Sequence, residues 1–218
     1  FLQAAINSKV PKLIIDSMPN TWNIDPIRLV SNQEIIFEPG AKIAAKRTSF
    51  QDRNATLFTL SKVTNVVIRG SSTNIRMYRD DYAQPPYDMN SLGGRHAFSI
   101  LGSANVTLDG LVISQSGGAG INVDCGSGNP KIPTTNLKIQ NCTIEKATSY
   151  GIRLGGVMGV VIENLNIREI SGSWPGSGIT LNSHSANHLL RNIELKNTRI
   201  ENCKGYAIEV NVSGDRPP

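Results

Sequence analysis

Aliphatic and polar residues alternate in short stretches that recur along most of the chain. The segment 97–110, AFSILGSANVTLDG, contains two such stretches, and the segment 57–70, LFTLSKVTNVVIRG, aligns with it without a gap. Alternation with a period of two is typical of a strand with one buried face. Four further copies, GINV, GIRL, GITL and AIEV, have their first aliphatic residue at Ile121, Ile152, Ile179 and Ile208. The pattern predicts a repeat protein built from short strands.

The spacing of the copies sets the size of the repeat. The anchors Phe58, Phe98, Ile121, Ile152, Ile179 and Ile208 are separated by 40, 23, 31, 27 and 29 residues. A unit of about 23 residues is too short for a helix pair or a propeller blade, and the leucine and asparagine spacing of leucine-rich repeats is absent. The extra residues fall in polar or Gly/Pro-containing stretches, which we predict to be loops at the corners of the repeat: 78–95, 124–135 and 182–191.

Glycine or asparagine recurs at the turn that follows the second strand of each unit. These two residues adopt the left-handed backbone conformation at low cost, so a tight corner is predicted at each unit. Asparagines stacked about 4.8 Å apart can also form hydrogen bonds along the stack. The turn positions are Gly70, Gly110, Asn141, Asn164, and Asn197 or Asn202.

The turn asparagines, the 23-residue unit and the aliphatic columns resemble the right-handed parallel β-helix of the pectin-lyase-like superfamily. The resemblance covers nearly the whole chain and implies an all-β solenoid. The stretch 31–43, SNQEIIFEPGAKI, is similar to the first coils of that superfamily, and GGRHAFSILG and SGGAGI are similar to segments of uncharacterised bacterial β-helix repeat proteins. Because this fold carries lyases, hydrolases, epimerases, phage tailspikes and structural proteins, it does not by itself imply one activity.

The first residues, FLQAAIN, form a short amphipathic helical pattern. In the resembled superfamily a short helix covers the open N-terminal end of the coil, and a solenoid needs such a cover over its apolar end. We therefore expect a short N-terminal capping helix followed by one β-helix domain over residues 1–218. No start signal precedes the helix and no C-terminal cap follows AIEVNVSGDRPP, so we expect the chain to be part of a longer protein.

Composition and charge limit the kinds of partner that this chain is expected to bind. The net charge of +5 suits an anionic polysaccharide. The basic residues form no dense run and have no interleaved aromatic residues, so a nucleic-acid partner is not expected. No apolar run reaches 18 residues, which argues against a membrane span. We expect a monomer that is secreted, periplasmic or displayed on the cell surface.

Three cysteines leave at least one unpaired in any scheme. Cys142 and Cys203 follow asparagines at corners two or three units apart, and we expect them to pack as small apolar residues without a bridge. Cys125 falls in a loop beside Asp124. The spacing of the cysteines and histidines does not match a zinc motif.

Functional residues should lie on the outer face of the strand column, because the inner face is core. If the aliphatic residues at 121, 123, 152 and 154 point inward, the residues between them point outward. The predicted outward column is Thr59, Ser99, Asn122, Arg153, Thr180 and Glu209, followed one step further by Asp124, Gly155, Asn182 and Asn211. The loops at 124–135 and 182–191 leave the same end of the column on either side of Arg153, which predicts a groove with two walls.

A polysaccharide lyase needs a base and a cation that neutralises the substrate carboxylate. We assign the catalytic candidates to Arg153, His184, Lys131 and Asp124, with His184 as base and Arg153 or Lys131 as the cation. The candidate substrate-binding residues are Arg95, His96, Asn122, Asn182, His188 and Glu209. No cofactor or metal site is assigned; Asp80 and Asp81 are predicted to start a turn, with calcium binding kept as an alternative.

Two classes of function stay open. The motifs of polygalacturonases (Asp-Asp, Gly-His-Gly and Arg-Ile-Lys) do not occur together, so that hydrolase is not expected. The similar bacterial repeat proteins carry Asp where Ala119 stands and a carboxylate near the position of Thr180, so this chain differs at candidate catalytic positions. The first class is a polysaccharide lyase or related glycan-processing enzyme. The second is a non-catalytic β-helix module for glycan binding or for a structural role.

Overall fold

The computed structural model describes residues 1–87, 94–128, 130–173, 175–183 and 188–212. The chain begins with helix α1 (Leu2–Asn7), which inserts Leu2 and Ile6 into the core. This confirms the predicted capping helix. None of the helices in these ranges has the length and hydropathy needed to cross a lipid bilayer.

Parallel strands make up most of the rest of the chain. In chain order they are β1 (Lys12–Ile15), β2 (Trp22–Ile24), β3 (Ile27–Arg28), β4 (Gln33–Phe37), β5 (Lys42–Ala45), β6 (Phe58–Ser61), β7 (Thr64–Arg76), β8 (Phe98–Leu101), β9 (Ala104–Ser114), β10 (Ala119–Asp124), β11 (Thr134–Gln140), β12 (Thr143–Glu145), β13 (Tyr150–Leu154), β14 (Val157–Glu163), β15 (Asn166–Arg168), β16 (Ser177–Ser183), β17 (Leu190–Lys196), β18 (Arg199–Glu201) and β19 (Ile208–Val212).

One wall of the coil, which we call the front sheet, contains one strand from each unit. Its order is β3-β6-β8-β10-β13-β16-β19. The predicted register is confirmed: Phe98 pairs with Ile121, Ile121 with Ile152, and Ile152 with Ile179. These four side chains are fully buried, so they form the inward column that the alternation predicts.

The other walls belong to a second sheet, whose main path is β1-β4-β7-β9-β11-β14-β17. Strands β7 and β9 turn the corner between two walls without a break, whereas later units divide the same path into two strands, such as β11 and β12. Each unit therefore adds one rung of three strand segments to the stack, with the aliphatic side chains enclosed between the walls.

Glycine is the second residue of three front-sheet strands, and these glycines pack against a column of isoleucines. A Cβ on Gly120, Gly151 or Gly178 would lie about 2.5 Å from the Cγ2 atom of an isoleucine across the coil, and these are Ile144, Ile167 and Ile200 respectively. Contacts that short do not occur between real side chains, so the G-I pattern of the repeat reflects the narrow interior of the coil. The short wall β12-β15-β18 supplies the isoleucines.

Two asparagine ladders run along the corners. One contains Asn141, Asn164 and Asn197, linked by side-chain hydrogen bonds of 3.2 and 3.3 Å, as the sequence predicted. The other, which sequence reasoning missed, links Asn32, Asn65, Asn105 and Asn136 at 2.8 to 3.0 Å. All seven asparagines have positive φ, as does Gly110. Gly70 does not, so its predicted left-handed turn is wrong.

The last described rung has an open side. Ile208 and Val210 keep the predicted register against Ile179 and Leu181. Their side chains are nevertheless 51% and 60% exposed, because among the described residues no further rung packs against them. Cys142 is buried and Cys203 is partly buried, in agreement with the expected packing role.

Candidate functional site

The outward face of the front sheet is mostly buried. Asn122 is 8% exposed, Thr180 0% and Glu209 8%, and Ser99 is also buried. A strand face open to water would show the opposite pattern. The sequence correctly identified the outward column, but Arg153 does not extend freely into water, because its side chain is only 17% exposed.

Arg153 is held by two residues of the preceding rung. Its Nη1 atom donates to Asn122 Oδ1 and to Asp124 Oδ2, both at 3.0 Å. The other oxygen of Asp124, Oδ1, accepts a hydrogen bond of 2.7 Å from the backbone N–H of Cys125. The strand pairing of β10 with β13 places Asn122 directly beside Arg153, so this network follows from the register. It fixes a charged pair in the middle of the face.

The two predicted loops leave the front sheet on either side of Arg153, as expected, and they meet. Between their rungs, the middle rung turns its corner with only Gly155 and Gly156. The first loop, which follows β10, is closed by a backbone hydrogen bond from Gly126 to Ile132. Over the short corner, Lys131 Nζ of this loop lies 2.8 Å from Nε2 of His188, which precedes β17. The two walls of the predicted groove are therefore joined at this point.

His188 also approaches the charged pair. Its Nδ1 atom lies 4.0 Å from Asp124 Oδ1, and its side chain is 8% exposed. The thiol of Cys125 belongs to the same group, since Asp124, Cys125 and His188 each offer one ligand atom within 4.8 Å of the others. Burial raises the pKa of the Cys125 thiol above its ordinary value, and the neighbouring Asp124 raises it further. The thiol is therefore a poor nucleophile at neutral pH.

A second carboxylate lies further along the column. Glu209 Oε2 accepts a hydrogen bond of 2.7 Å from Ser177 Oγ and lies 3.4 Å from Thr180 Oγ1, and Glu209 Oε1 accepts one of 2.9 Å from Asn211 Nδ2. This brings a carboxylate next to Thr180. Its neighbours are hydroxyl and amide groups, which stabilise a buried carboxylate.

Tyr150 lies between the two charged groups and was missed by sequence reasoning. Burial raises the pKa of its hydroxyl, while the charge of Arg153 lowers it and that of Glu209 raises it. The hydroxyl therefore keeps its proton at neutral pH. Its position in the repeat could have identified it, because Tyr150 begins β13 and pairs with Ala119 and Ser177 at the start of the neighbouring strands.

His96 lies at the same end of the strands. Its Nδ1 atom accepts a hydrogen bond of 2.9 Å from the backbone N–H of Ala119. Burial, assisted by the positive charge of Arg153, lowers the pKa of His96 to about 4. The ring is neutral at physiological pH, with its proton on Nε2, and it positions the start of β10.

Arg95 is not brought to the groove. It is 3% exposed, and its guanidinium donates to the carbonyls of Phe50 and Gln51, both at 2.7 Å. It also lies 5.2 Å from the ring centroid of Tyr82. Arg95 thus anchors the loop at 47–53 to the long insertion, which is a structural role and not the predicted substrate contact.

Four further predicted positions have different outcomes. His184 lies outside the described residues. Asn182 is buried, and its Oδ1 atom has no hydrogen-bond partner among the described residues. Asp80 and Asp81 begin the predicted turn, a 3-10 helix over Asp81–Ala83, and their carboxylates pair with Arg79 and Arg47.

Comparison with known proteins identifies the family. Residues 60–217 match the family described as "Right handed beta helix region". The chain belongs to this family. Its fold is therefore the right-handed parallel β-helix that the sequence resemblance predicted.

The individual relatives are distant. The chain is 24% identical over 193 residues to the SPbeta prophage-derived uncharacterized protein YorA of Bacillus subtilis, of which it covers 33%. The iota-carrageenase of family GH82 from A. fortis superposes with a TM-score of 0.70 at 20% identity, covering 91% of this chain and 45% of that one. The N-terminal fragment of bacteriophage phi29 gene product 12 gives a TM-score of 0.61 at 15% identity, with 94% and 36% covered. This chain therefore spans less than half of each of these proteins, and the structural likeness concerns the fold alone.

Proposed function

We propose that the groove beside Arg153 binds an anionic polysaccharide outside the cell and cleaves it by β-elimination. The contact between Lys131 and His188 carries the proposal. It places an ammonium group beside an imidazole at 2.8 Å, next to the Asp124–Arg153 pair. A uronan lyase needs these two groups together, because the proton that the base removes is adjacent to the carboxylate that the cation neutralises.

The four residues have distinct roles in this proposal. Lys131 is exposed and moves from His188 to the substrate carboxylate, and Nε2 of His188 then accepts the sugar proton. The electron pair of the broken C–H bond forms the new double bond, and the glycosidic oxygen leaves with a proton from water. Asp124 faces Nδ1 of His188 and stabilises the imidazolium, while Arg153 holds Asp124 in place. His188 thus takes the role that the sequence assigned to His184.

Two observations support a polysaccharide as the partner. The net charge of +5 favours an anionic polymer. One of the similar structures is an iota-carrageenase, an enzyme named for its action on carrageenan.

The test is incubation with alginate, pectate, chondroitin and related polymers, followed by ultraviolet absorbance of new double bonds and by assay of reducing ends. We expect double bonds from at least one polymer. His188→Gln should lower the rate by about 100-fold or more, as loss of a general base does. Lys131→Ala should lower it by about tenfold or more, the cost of one charge-assisted hydrogen bond. Lys42→Ala, an exposed lysine on β5, is the matched control and should leave the rate unchanged.

The outcome separates the possible reactions. New reducing ends without double bonds would mean that the reaction is hydrolysis and not elimination. The candidate catalytic groups would then be the carboxylates of Asp124 and Glu209. Equal losses for Lys131→Ala and Lys42→Ala would mean that the attraction is a diffuse effect of net charge, and this would contradict the proposed site.

The alternative is a glycan-binding module without catalysis. It is favoured by the fact that both cations of the groove already have partners: Arg153 is paired with Asp124, and Lys131 with His188. Two of the similar proteins are also phage or prophage proteins by name, YorA and gene product 12. Retention on a polymer-containing gel with neither double bonds nor new reducing ends would support this second function.

A further inference from the structure

Three side chains with different metal-binding atoms converge at the join of the two loops. A carboxylate oxygen of Asp124, the sulfur of Cys125 and a ring nitrogen of His188 all lie within 4.8 Å of one another. Asp124 ends β10 and Cys125 follows it, whereas His188 precedes β17 two rungs further on. Cys125 and His188 lie far apart in the sequence, which explains why the spacing of cysteines and histidines matched no zinc motif.

The distances between these three ligand atoms are close to those between the ligands of a metal site. Zinc binds sulfur at about 2.3 Å and nitrogen or oxygen at about 2.1 Å, so tetrahedral ligands lie roughly 3.5 Å apart. The three atoms therefore need to move inward by only about an ångström. Two of the side chains are mostly buried, His188 at 8% and Asp124 at 22% exposed, so little rotamer freedom is lost when an ion binds.

The short corner of the middle rung makes room for the group. A Cβ on Gly156 would lie 2.0 Å from the sulfur of Cys125, and one on Gly155 would lie 3.2 Å from Asp124 Oδ1. The two glycines therefore leave the space that these side chains occupy. Gly156 also has a φ of +58°, which a residue with a side chain rarely adopts. The ligand positions depend on the backbone of a neighbouring rung, as expected of a built site and not of a chance surface cluster.

We propose that Asp124, Cys125 and His188 bind a thiophilic divalent metal ion, with Zn²⁺ as the expected occupant. A thiolate, an imidazole and a carboxylate form a donor set that zinc accepts, whereas calcium and magnesium prefer oxygen ligands alone. The cysteine proton is released to solvent on binding. Three protein ligands leave a fourth position for water. This site needs no glycan and can be tested without one, but it shares Asp124 and His188 with the proposed elimination, so a chain with the ion bound could not use His188 as the base.

Lys131 provides an internal competitor. Its ammonium can only donate, so the contact of 2.8 Å requires Nε2 of His188 to be the acceptor. If the ion binds Nε2, that acceptor is taken. If the ion binds Nδ1, the remaining ring proton must sit on Nε2, which then cannot accept. Metal binding and the Lys131–His188 hydrogen bond therefore exclude each other whichever nitrogen coordinates.

The experiment is titration of the metal-free chain with Co²⁺ as a spectroscopic substitute for zinc, and with Zn²⁺ by calorimetry. We expect saturable binding with a thiolate-to-cobalt charge-transfer band. Cys125→Ser and His188→Gln should remove the band, while Cys203→Ser, the matched control at a distant corner, should keep it. Lys131→Met removes the competitor and should tighten binding by about tenfold or more, the equivalent of one charge-assisted hydrogen bond.

A measurement on the unaltered chain covers the case in which a ligand variant does not fold. Zn²⁺ should slow the alkylation of Cys125 by iodoacetamide without changing that of Cys203, as read by mass spectrometry. The proposal is overturned by any of three results: no cobalt band together with no zinc-dependent protection of Cys125, a band that persists without Cys125, or metal affinity that is unchanged in Lys131→Met.

Discussion

Lys131 and His188 are 57 positions apart in the chain, yet Nζ of one lies 2.8 Å from Nε2 of the other. One rung lies between the loops that carry them. The contact is possible because the intervening rung turns its corner with only Gly155 and Gly156. No long loop of that rung therefore separates Lys131 from His188. The same bridge brings a base, a cation and the Asp124–Arg153 pair into one place, which is why both proposals above concern this corner.

The inward column is the first feature to test. Ile152 is fully buried and lies between Ile121 and Ile179 in adjacent strands. Ile152→Asp places an unpaired carboxylate in the core, at a cost of several kcal/mol, and we expect the variant to be insoluble or unfolded. Met158→Asp on β14, where the side chain is 37% exposed, is the control and should fold. Circular dichroism and the thermal midpoint measure both; equal midpoints would contradict the assigned faces.

The missed asparagine ladder gives a second prediction. Asn105 has a φ of +55°, donates to Asn65 and accepts from Asn136. Asn105→Ala removes both hydrogen bonds and adds about 1 to 2 kcal/mol of left-handed strain. Asn105→Gly removes the same hydrogen bonds without the strain. We therefore expect the alanine variant to have the lower free energy of unfolding, although glycine is ordinarily the worse residue in a strand. The reverse order, measured by denaturant titration, would mean that backbone conformation does not determine this position.

These two features differ in how visible they were in the sequence. The inward column was predictable because each Ile or Phe recurs with the period of a strand, and buried positions tolerate few alternatives. The second asparagine ladder was harder to predict from the sequence. Asn65 and Asn105 align, but after Asn136 the next position of this corner is Gly159, so the column of asparagines is interrupted. A Cβ at Gly159 would lie 3.2 Å from Asn136 Oδ1, which shows that glycine continues the same turn there.

The site was only partly predictable. Register alone placed Asn122 beside Arg153 and Thr180 beside Glu209, because strand pairing fixes which outward residues are neighbours. The paths of the loops have no periodic signal. For this reason the sequence placed both Lys131, as a catalytic candidate, and Arg95, as a substrate-binding candidate, in the groove, whereas the fold buries Arg95 beside Tyr82 and brings Lys131 to His188.

His96 predicts a dependence of stability on pH. Its pKa is about 4 in the folded chain and about 6.5 in the unfolded chain, so between these values the unfolded chain binds more protons. Above pH 6.5 the neutral ring makes its full contribution to the free energy of unfolding. This contribution decreases as the pH falls towards 4, by up to about 3 kcal/mol. His96→Asn retains an acceptor for the N–H of Ala119 but does not titrate. Denaturant titrations at several values between pH 7.5 and 4.5 should therefore show a smaller loss in the variant; parallel curves would contradict the assignment.

The last prediction compares two arginine–carboxylate pairs that differ in burial. Arg153 and Asp124 are 17% and 22% exposed, whereas Arg69 and Glu34, joined by a bond of 2.7 Å on the second sheet, are 52% and 31% exposed. Removing Arg153 leaves the carboxylate of Asp124 largely buried without its cation and removes the donor to Asn122, so Arg153→Ala should lower the free energy of unfolding by about 2 kcal/mol or more. Arg69→Ala breaks a solvated pair and should cost less than about 1 kcal/mol. Arg153→Lys should recover part of the loss because it restores the charge but not both hydrogen bonds. Denaturant titration at pH 7.5 measures all three variants, and similar losses for Arg153→Ala and Arg69→Ala would show that the Asp124–Arg153 pair is as solvated as a surface pair.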